Sequence, residues 1–166
     1  MSSSARVLIA GQAPGRKVHE SGIPFDDASG ERLRDWLGLS REEFYDASKV
    51  AILPMGFCYP GTGKSGDLPP RPECAEAWRQ RLTDQMRELR LTIVIGQYAQ
   101  AYHMSDERRS LTEAVKDDSS QYESLILIPH PSPRNNIWLA KNPWFVSDVL
   151  PTIKERVRAA LIESSS

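Results

Sequence analysis

Leu125-Ile126-Leu127-Ile128, running through Pro129 into His130-Pro131-Ser132-Pro133-Arg134-Asn135, is the stretch that decides how this chain is read. Four consecutive apolar residues present no polar face, so they fit a strand covered on both sides, as in a parallel sheet. His130 stands between two prolines that stiffen the chain around it. An imidazole fixed there, with Arg and Asn close behind, suits a rigid loop that meets a polyanion. The other end of the sequence repeats the arrangement, with Arg6-Val7-Leu8-Ile9-Ala10 running into Gly11-Gln12-Ala13-Pro14-Gly15.

Working outward, further short apolar runs complete a set of four strands: Val7–Ala10, Val50–Leu53, Thr92–Ile95 and Leu125–Ile128. They alternate with helical segments. That order predicts an α/β fold, a three-layer αβα sandwich around a central, mostly parallel four-stranded sheet. Helix starts are marked by Ser29 before Gly30-Glu31-Arg32-Leu33, by Ser40 with Glu43 three residues on, and by Pro72 ahead of Glu73 to Leu89. Gly38 after Trp36-Leu37 reads as a helix stop. Pro143 and Pro151 divide the last region into a turn and a terminal helix from about Pro151 to Ile162. Residues 1–5 and 163–166 read as frayed tails. In open sheets of this kind ligands bind at the carboxyl ends of the strands, where both loops lie.

The chain has 166 residues, 40% of them hydrophobic, which predicts one domain over 1–166 with a sizeable core. Twenty-one basic against 22 acidic residues give a net charge of −1, so the chain lacks the overall positive charge of a non-specific nucleic-acid coat. Contact with a polyanion must therefore be local. Two cysteines, no signal-like N-terminus and no apolar run near membrane-spanning length predict a cytoplasmic protein with no membrane partner. A monomer is expected.

Together the two loops resemble the active-site motifs of the uracil-DNA glycosylase superfamily. His130-Pro131-Ser132-Pro133-Arg134-Asn135 is similar to the second motif of its single-strand-selective monofunctional branch, and Gly11-Gln12-Ala13-Pro14-Gly15 to the first motif of its iron–sulfur branch, which typically reads Gly-Glu-Ala-Pro-Gly. Between them, Ser21-Gly22-Ile23-Pro24-Phe25, the helix from Gly30 to Leu37, and Leu91 to Gln97 fall in the family's order. The resemblance covers roughly residues 6 to 158. It implies a monofunctional DNA glycosylase that hydrolyses the bond between deoxyribose and uracil, or a related deaminated base, and leaves an abasic site.

Such chemistry sets clear demands. The nucleotide must leave the stack and enter a pocket before its C1′ can be reached. The base departs with negative charge on its carbonyl oxygen, where a preorganised donor lowers the barrier by a few kcal/mol. The resemblance assigns that donor to His130, whose plainer alternative is a strand-end cap. It places Arg134 at a wedge position that fills the gap left by the flipped base, and a guanidinium there can stack and also hold phosphate. The alternative is a solvated turn. Ser132 and Asn135 could donate to flanking phosphates. Phe25 resembles the aromatic on which the family stacks the extruded base, the alternative being a core phenylalanine.

Two departures from the family pattern matter. Family members generally use a carboxylate at the second or third residue of the first motif, or an Asn at the third, to activate or place water; here Gln12 and Ala13 stand there. Gln12 can orient water but cannot accept its proton. Asp26 and Asp27 are the nearest substitutes, and a dissociative reaction without a strong base predicts slow rather than absent turnover. An Asn that usually reads the uracil edge is replaced by Pro54, which leaves discrimination to groups around Gln12, Ala13 and Met55.

Cys58 and Cys74 resemble two ligands of the iron–sulfur branch, but that cluster needs four thiolates and the chain has two cysteines. The reading is therefore no metal, no cofactor, and free buried thiols. Pro60-Gly61-Thr62-Gly63-Lys64-Ser65 looks like the end of a phosphate-binding P-loop, but Cys58 stands where its first glycine belongs and no helix can follow through Pro69-Pro70-Arg71-Pro72. No NTP is expected. Lys64 and Arg71 suit contact with DNA phosphate instead, or simply solvent. Three readings stay open: a glycosylase acting through His130, a non-catalytic lesion-binding module of the same fold, and a nucleotide enzyme using Lys64.

Overall fold

The computed structural model describes residues 4–11, 25, 27–52, 62–63, 66–67, 84–95, 112, 115 and 124–162. Four parallel strands form the central sheet: β1 (Val7–Ala10), β2 (Val50–Ile52), β5 (Leu91–Ile95) and β6 (Leu125–Ile128), in the order β2-β1-β5-β6. The register sets Ile9 beside Ile52 and Ile93, and Ile93 beside Ile126. Because side chains alternate along a strand, these isoleucines share one face. There they join Val7 and Ile128, with Leu33, Trp36 and Leu37 from one helix and Ile153, Val157 and Ala160 from another. Leu8 and Ala51 point the opposite way and pack with Ala5 and Met86. Both faces are thus covered, which is why the strands read as unbroken apolar runs.

The α/β fold with a four-stranded parallel sheet is as expected, and the details differ at element ends. Helix α1 (Ala28–Leu37) begins earlier than Ser29 predicts, because Asp27 caps it: the Asp27 carboxylate accepts the Gly30 N–H at 2.9 Å. A carboxylate is the better partner for the positive end of a helix dipole. Gly38 closes the helix with φ +69, donating its N–H to the Arg34 and Asp35 carbonyls. Helix α2 (Arg41–Phe44) carries the anticipated capping box between Ser40 and Glu43. β5 starts at Leu91, one residue before the predicted Thr92.

The helix predicted to run through Leu89 does not reach it, since residues 86–90 are already non-helical. Arg90 N and Leu91 N both donate to the Arg6 carbonyl, so the chain must have entered the sheet ladder by then. Residues 73–83 of that segment lie outside the described residues. Ala5, read as part of a frayed tail, is fully buried in the smaller core cluster.

Two short strands, β3 (Thr62–Gly63) and β4 (Gly66–Asp67), pair antiparallel, Thr62 with Asp67 and Gly63 with Gly66. Near the C-terminus, α3 (Asn136–Lys141) and a π-helical turn (Phe145–Val149) precede α4 (Leu150–Leu161). The sequence reading gave α3 no helix. The terminal helix expected from about Pro151 to Ile162 is α4, one residue earlier at each end, with Pro151 in its first turn, where its missing N–H is not needed.

Candidate active site

β1 ends at Ala10, directly before Gly11, and β6 ends at Ile128, directly before Pro129-His130, so Gly11 and His130 both lie at the carboxyl edge of the sheet. β2 and β5 lie on opposite sides of β1. The chain therefore reverses its winding direction at β1, and an open parallel sheet has its ligand crevice at such a point.

The loop from His130 to Asn135 is braced by its own hydrogen bonds. Ser132 N–H donates to His130 Nδ1 at 3.1 Å, and Asn135 Nδ2 donates to the His130 carbonyl at 2.6 Å. Ser132 also caps a 3₁₀ turn (Pro133–Asn135): its hydroxyl oxygen accepts from Arg134 N at 3.2 Å and its carbonyl from Asn135 N at 2.9 Å. The first of these bonds fixes the chemistry of the imidazole. A nitrogen that accepts from a backbone N–H cannot carry the ring proton, so the proton sits on Nε2 and His130 is a neutral donor there. His130 is half-buried, whereas Arg134, at the start of the turn, is exposed.

Phe25 approaches the same edge of the sheet. A Cβ placed on Gly11 would lie 3.6 Å from Phe25 Cζ, which puts the tip of the ring beside the start of the first loop. The ring is half-buried and meets Phe44 edge-on, with centroids 6.0 Å apart at 89°. Its backbone has φ +58, and its carbonyl accepts from Arg34 Nη1 at 3.1 Å. Helix α1 also reaches the second loop, where Arg32 Nη1 comes within 3.5 Å of the Ser132 carbonyl. One helix therefore touches both sides of the site.

His130, Ser132, Arg134 and Asn135 thus share one loop, and Phe25 stands by Gly11. Gln12, Ala13, Met55 and Lys64 lie outside the described residues, as do Asp26, Cys58 and Cys74. Asn135, expected at a phosphate, donates an amide hydrogen to the His130 carbonyl and so also braces the loop. Asp27, considered as a substitute base, has an oxygen engaged in capping α1. Of the P-loop-like stretch, Thr62 and Gly63 are described, and they pair antiparallel with Asp67 and Gly66; Pro60, Gly61, Lys64 and Ser65 lie outside the described residues.

Two residues escaped the sequence reading. Arg34 is the one buried charged side chain among the described residues, 7% exposed. Gly30 lies so close to Phe25 that any side chain would overlap its carbonyl. A signal existed: Gly30, Arg34 and Leu37 fall at i, i+4 and i+7, one helix face that also turns inward.

A family model described as the uracil DNA glycosylase superfamily matches residues 1–154 of the chain.

Proposed function

We propose that this chain, which belongs to the uracil DNA glycosylase superfamily, is a monofunctional glycosylase that hydrolyses uracil or a related deaminated base from DNA. The observation that carries the reading is the Ser132 N–H bond to His130 Nδ1, which leaves a neutral imidazole with its proton on Nε2. In this reaction the bond between C1′ and the base nitrogen breaks and its electron pair leaves with the base. The Nε2–H of His130 donates to the carbonyl oxygen of the base on which that charge collects. Water then adds to the sugar cation and gives up a proton to solvent, leaving an abasic site and the free base.

Gln12 orients that water as an amide can, without accepting its proton. Phe25 supplies the stacking face for the extruded base, with the backbone around Gln12, Ala13 and Met55 at its edge. Arg134 fills the gap in the stack and meets phosphate, assisted by the Ser132 hydroxyl and Lys64. The protein acts as a cytoplasmic monomer with no nucleotide cofactor.

One observation favours a second reading, a lesion-binding module with little or no turnover: the Asp27 carboxylate is occupied as a helix cap. Oligonucleotides carrying uracil, hypoxanthine or xanthine, single-stranded and paired, decide between them when abasic sites are revealed by alkali. Excision that disappears in His130→Ala identifies the glycosylase and its base. Tight binding to the same DNA without any excision at high protein excess leaves the binding module.

A further inference from the structure

We infer that Arg34 is a positioning residue for base stacking, holding Phe25 in the left-handed backbone conformation that brings its ring beside Gly11. The inference rests on the reading of Phe25 as the stacking platform. A non-glycine residue at φ +58 is strained and persists only where its surroundings over-determine it. Three neighbours do so here. Arg34 Nη1 donates to the Phe25 carbonyl at 3.1 Å, Phe44 packs edge-on against the ring, and Gly30 leaves open the space that the carbonyl fills.

Arg34 is itself held rigidly. Its guanidinium carbon stands 5.4 Å from the centre of the Phe44 ring and 5.7 Å from that of Tyr45, and Nη1 also reaches the Tyr45 hydroxyl at 3.4 Å. Burying a charge is unfavourable unless hydrogen bonds compensate it. Packing alone would be served as well by an apolar side chain. A flat, forked cation does what an apolar residue cannot: it stacks on two rings while a donor points at one chosen carbonyl. That carbonyl belongs to the strained residue whose ring borders the first active-site loop.

The test uses Arg34→Lys and Gly30→Ala, each alone and combined with Phe25→Leu. Lysine keeps the charge and loses the fork. Alanine improves intrinsic helix propensity while displacing the Phe25 carbonyl, so it keeps the test open should Arg34→Lys not fold. Each single variant is expected to lower single-turnover excision by about tenfold, the scale of a lost base–aromatic stack, with DNA affinity unchanged. In the Phe25→Leu background neither change should add a further loss, since residues acting through one side chain are not additive. With 4-fluorophenylalanine at the chain's four Phe positions, the Phe25 resonance should move in both variants while that of Phe145 stays. Losses that multiply with Phe25→Leu, or an unmoved Phe25 resonance, would overturn the inference alone. Absence of excision by the unaltered protein would sink the reading of the site and this inference with it.

Discussion

His130, expected as the donor to the departing base, and Asn135, expected at a phosphate, are tied to each other by a hydrogen bond within one loop. His130 presents a donor because Ser132 N–H occupies Nδ1. His130→Ala should therefore reduce excision by roughly 10²–10³-fold, the scale of losing one preorganised donor, and leave DNA affinity nearly intact. Asn135 makes a different prediction. Its amide holds the His130 carbonyl, so Asn135→Ala should lower the single-turnover rate by about tenfold through misplacement of the imidazole, with little change in Kd. A weakened Kd at an unchanged rate would return Asn135 to the phosphate. The motif was legible because its parts are local: prolines, a hydroxyl that caps, and an imidazole within six residues. Arg34 was not, because its partner carbonyl lies nine residues back across a turn, and the sequence shows only one more charge among Glu31, Arg32 and Asp35.

Helices in this chain were easiest to read where a side chain caps them and hardest where the tertiary fold chooses among several candidates. The Ser40–Glu43 box and Gly38 act as their types demand. Asp27 and Ser29 both could cap α1, and only the carboxylate does. At the far end of the segment before β5, nothing in Met86 to Leu89 forbids a helix; the sheet ladder at Arg90 and Leu91 ends it. The clamp between α4 and the α1–α2 corner was invisible for the same reason. Arg158 donates to Glu43 Oε2 and to the Gly38 carbonyl, both at 2.8 Å, joining positions 115 and 120 residues apart. The Arg158 hydrogen bond, followed by the Ser40 backbone N–H, holds the Glu43 carboxyl below its ordinary value. Arg158 is half-exposed, so solvent screens the pair and Arg158→Ala should cost only about 1 kcal/mol, a fall in Tm of roughly 2–4 °C. A group whose folded pKa is depressed adds stability above its unfolded pKa and loses it as pH falls through the folded one. The gap between variant and parent should therefore be full at neutral pH and narrow as the solution passes below the carboxylate range. Thermal melts across that range test it, and a gap that is constant with pH would place the whole effect in the Gly38 carbonyl.

At the scale of the whole molecule, an almost neutral chain has to bind a polyanion through one edge of its sheet. The net charge is −1, so the protein's overall field does not draw DNA in, and affinity must come from a few cations set close to the site. Counterion release makes that measurable: log Kobs falls with log salt at about 0.9 per phosphate neutralised on duplex DNA and about 0.7 on single strands. Arg134 is exposed in the turn after His130, and the proposed function adds Lys64 and Arg71, which the sequence reading matched to DNA phosphate. Three contacts would give a slope of roughly −2 to −3. Arg134→Ala should make it shallower by about one, and Lys64→Ala by a similar step. The two variants should nevertheless part company in rate. Lys64 only neutralises charge, so its loss should weaken binding and leave the single-turnover rate of saturated enzyme unchanged. In its proposed wedge role Arg134 also fills the space of the extruded base, and on that proposal its loss should slow excision on duplex DNA more than on single strands, where no stack has to be refilled. Equal slowing on both substrates would reduce Arg134 to a phosphate contact and remove the wedge from the account of how this sheet edge opens DNA.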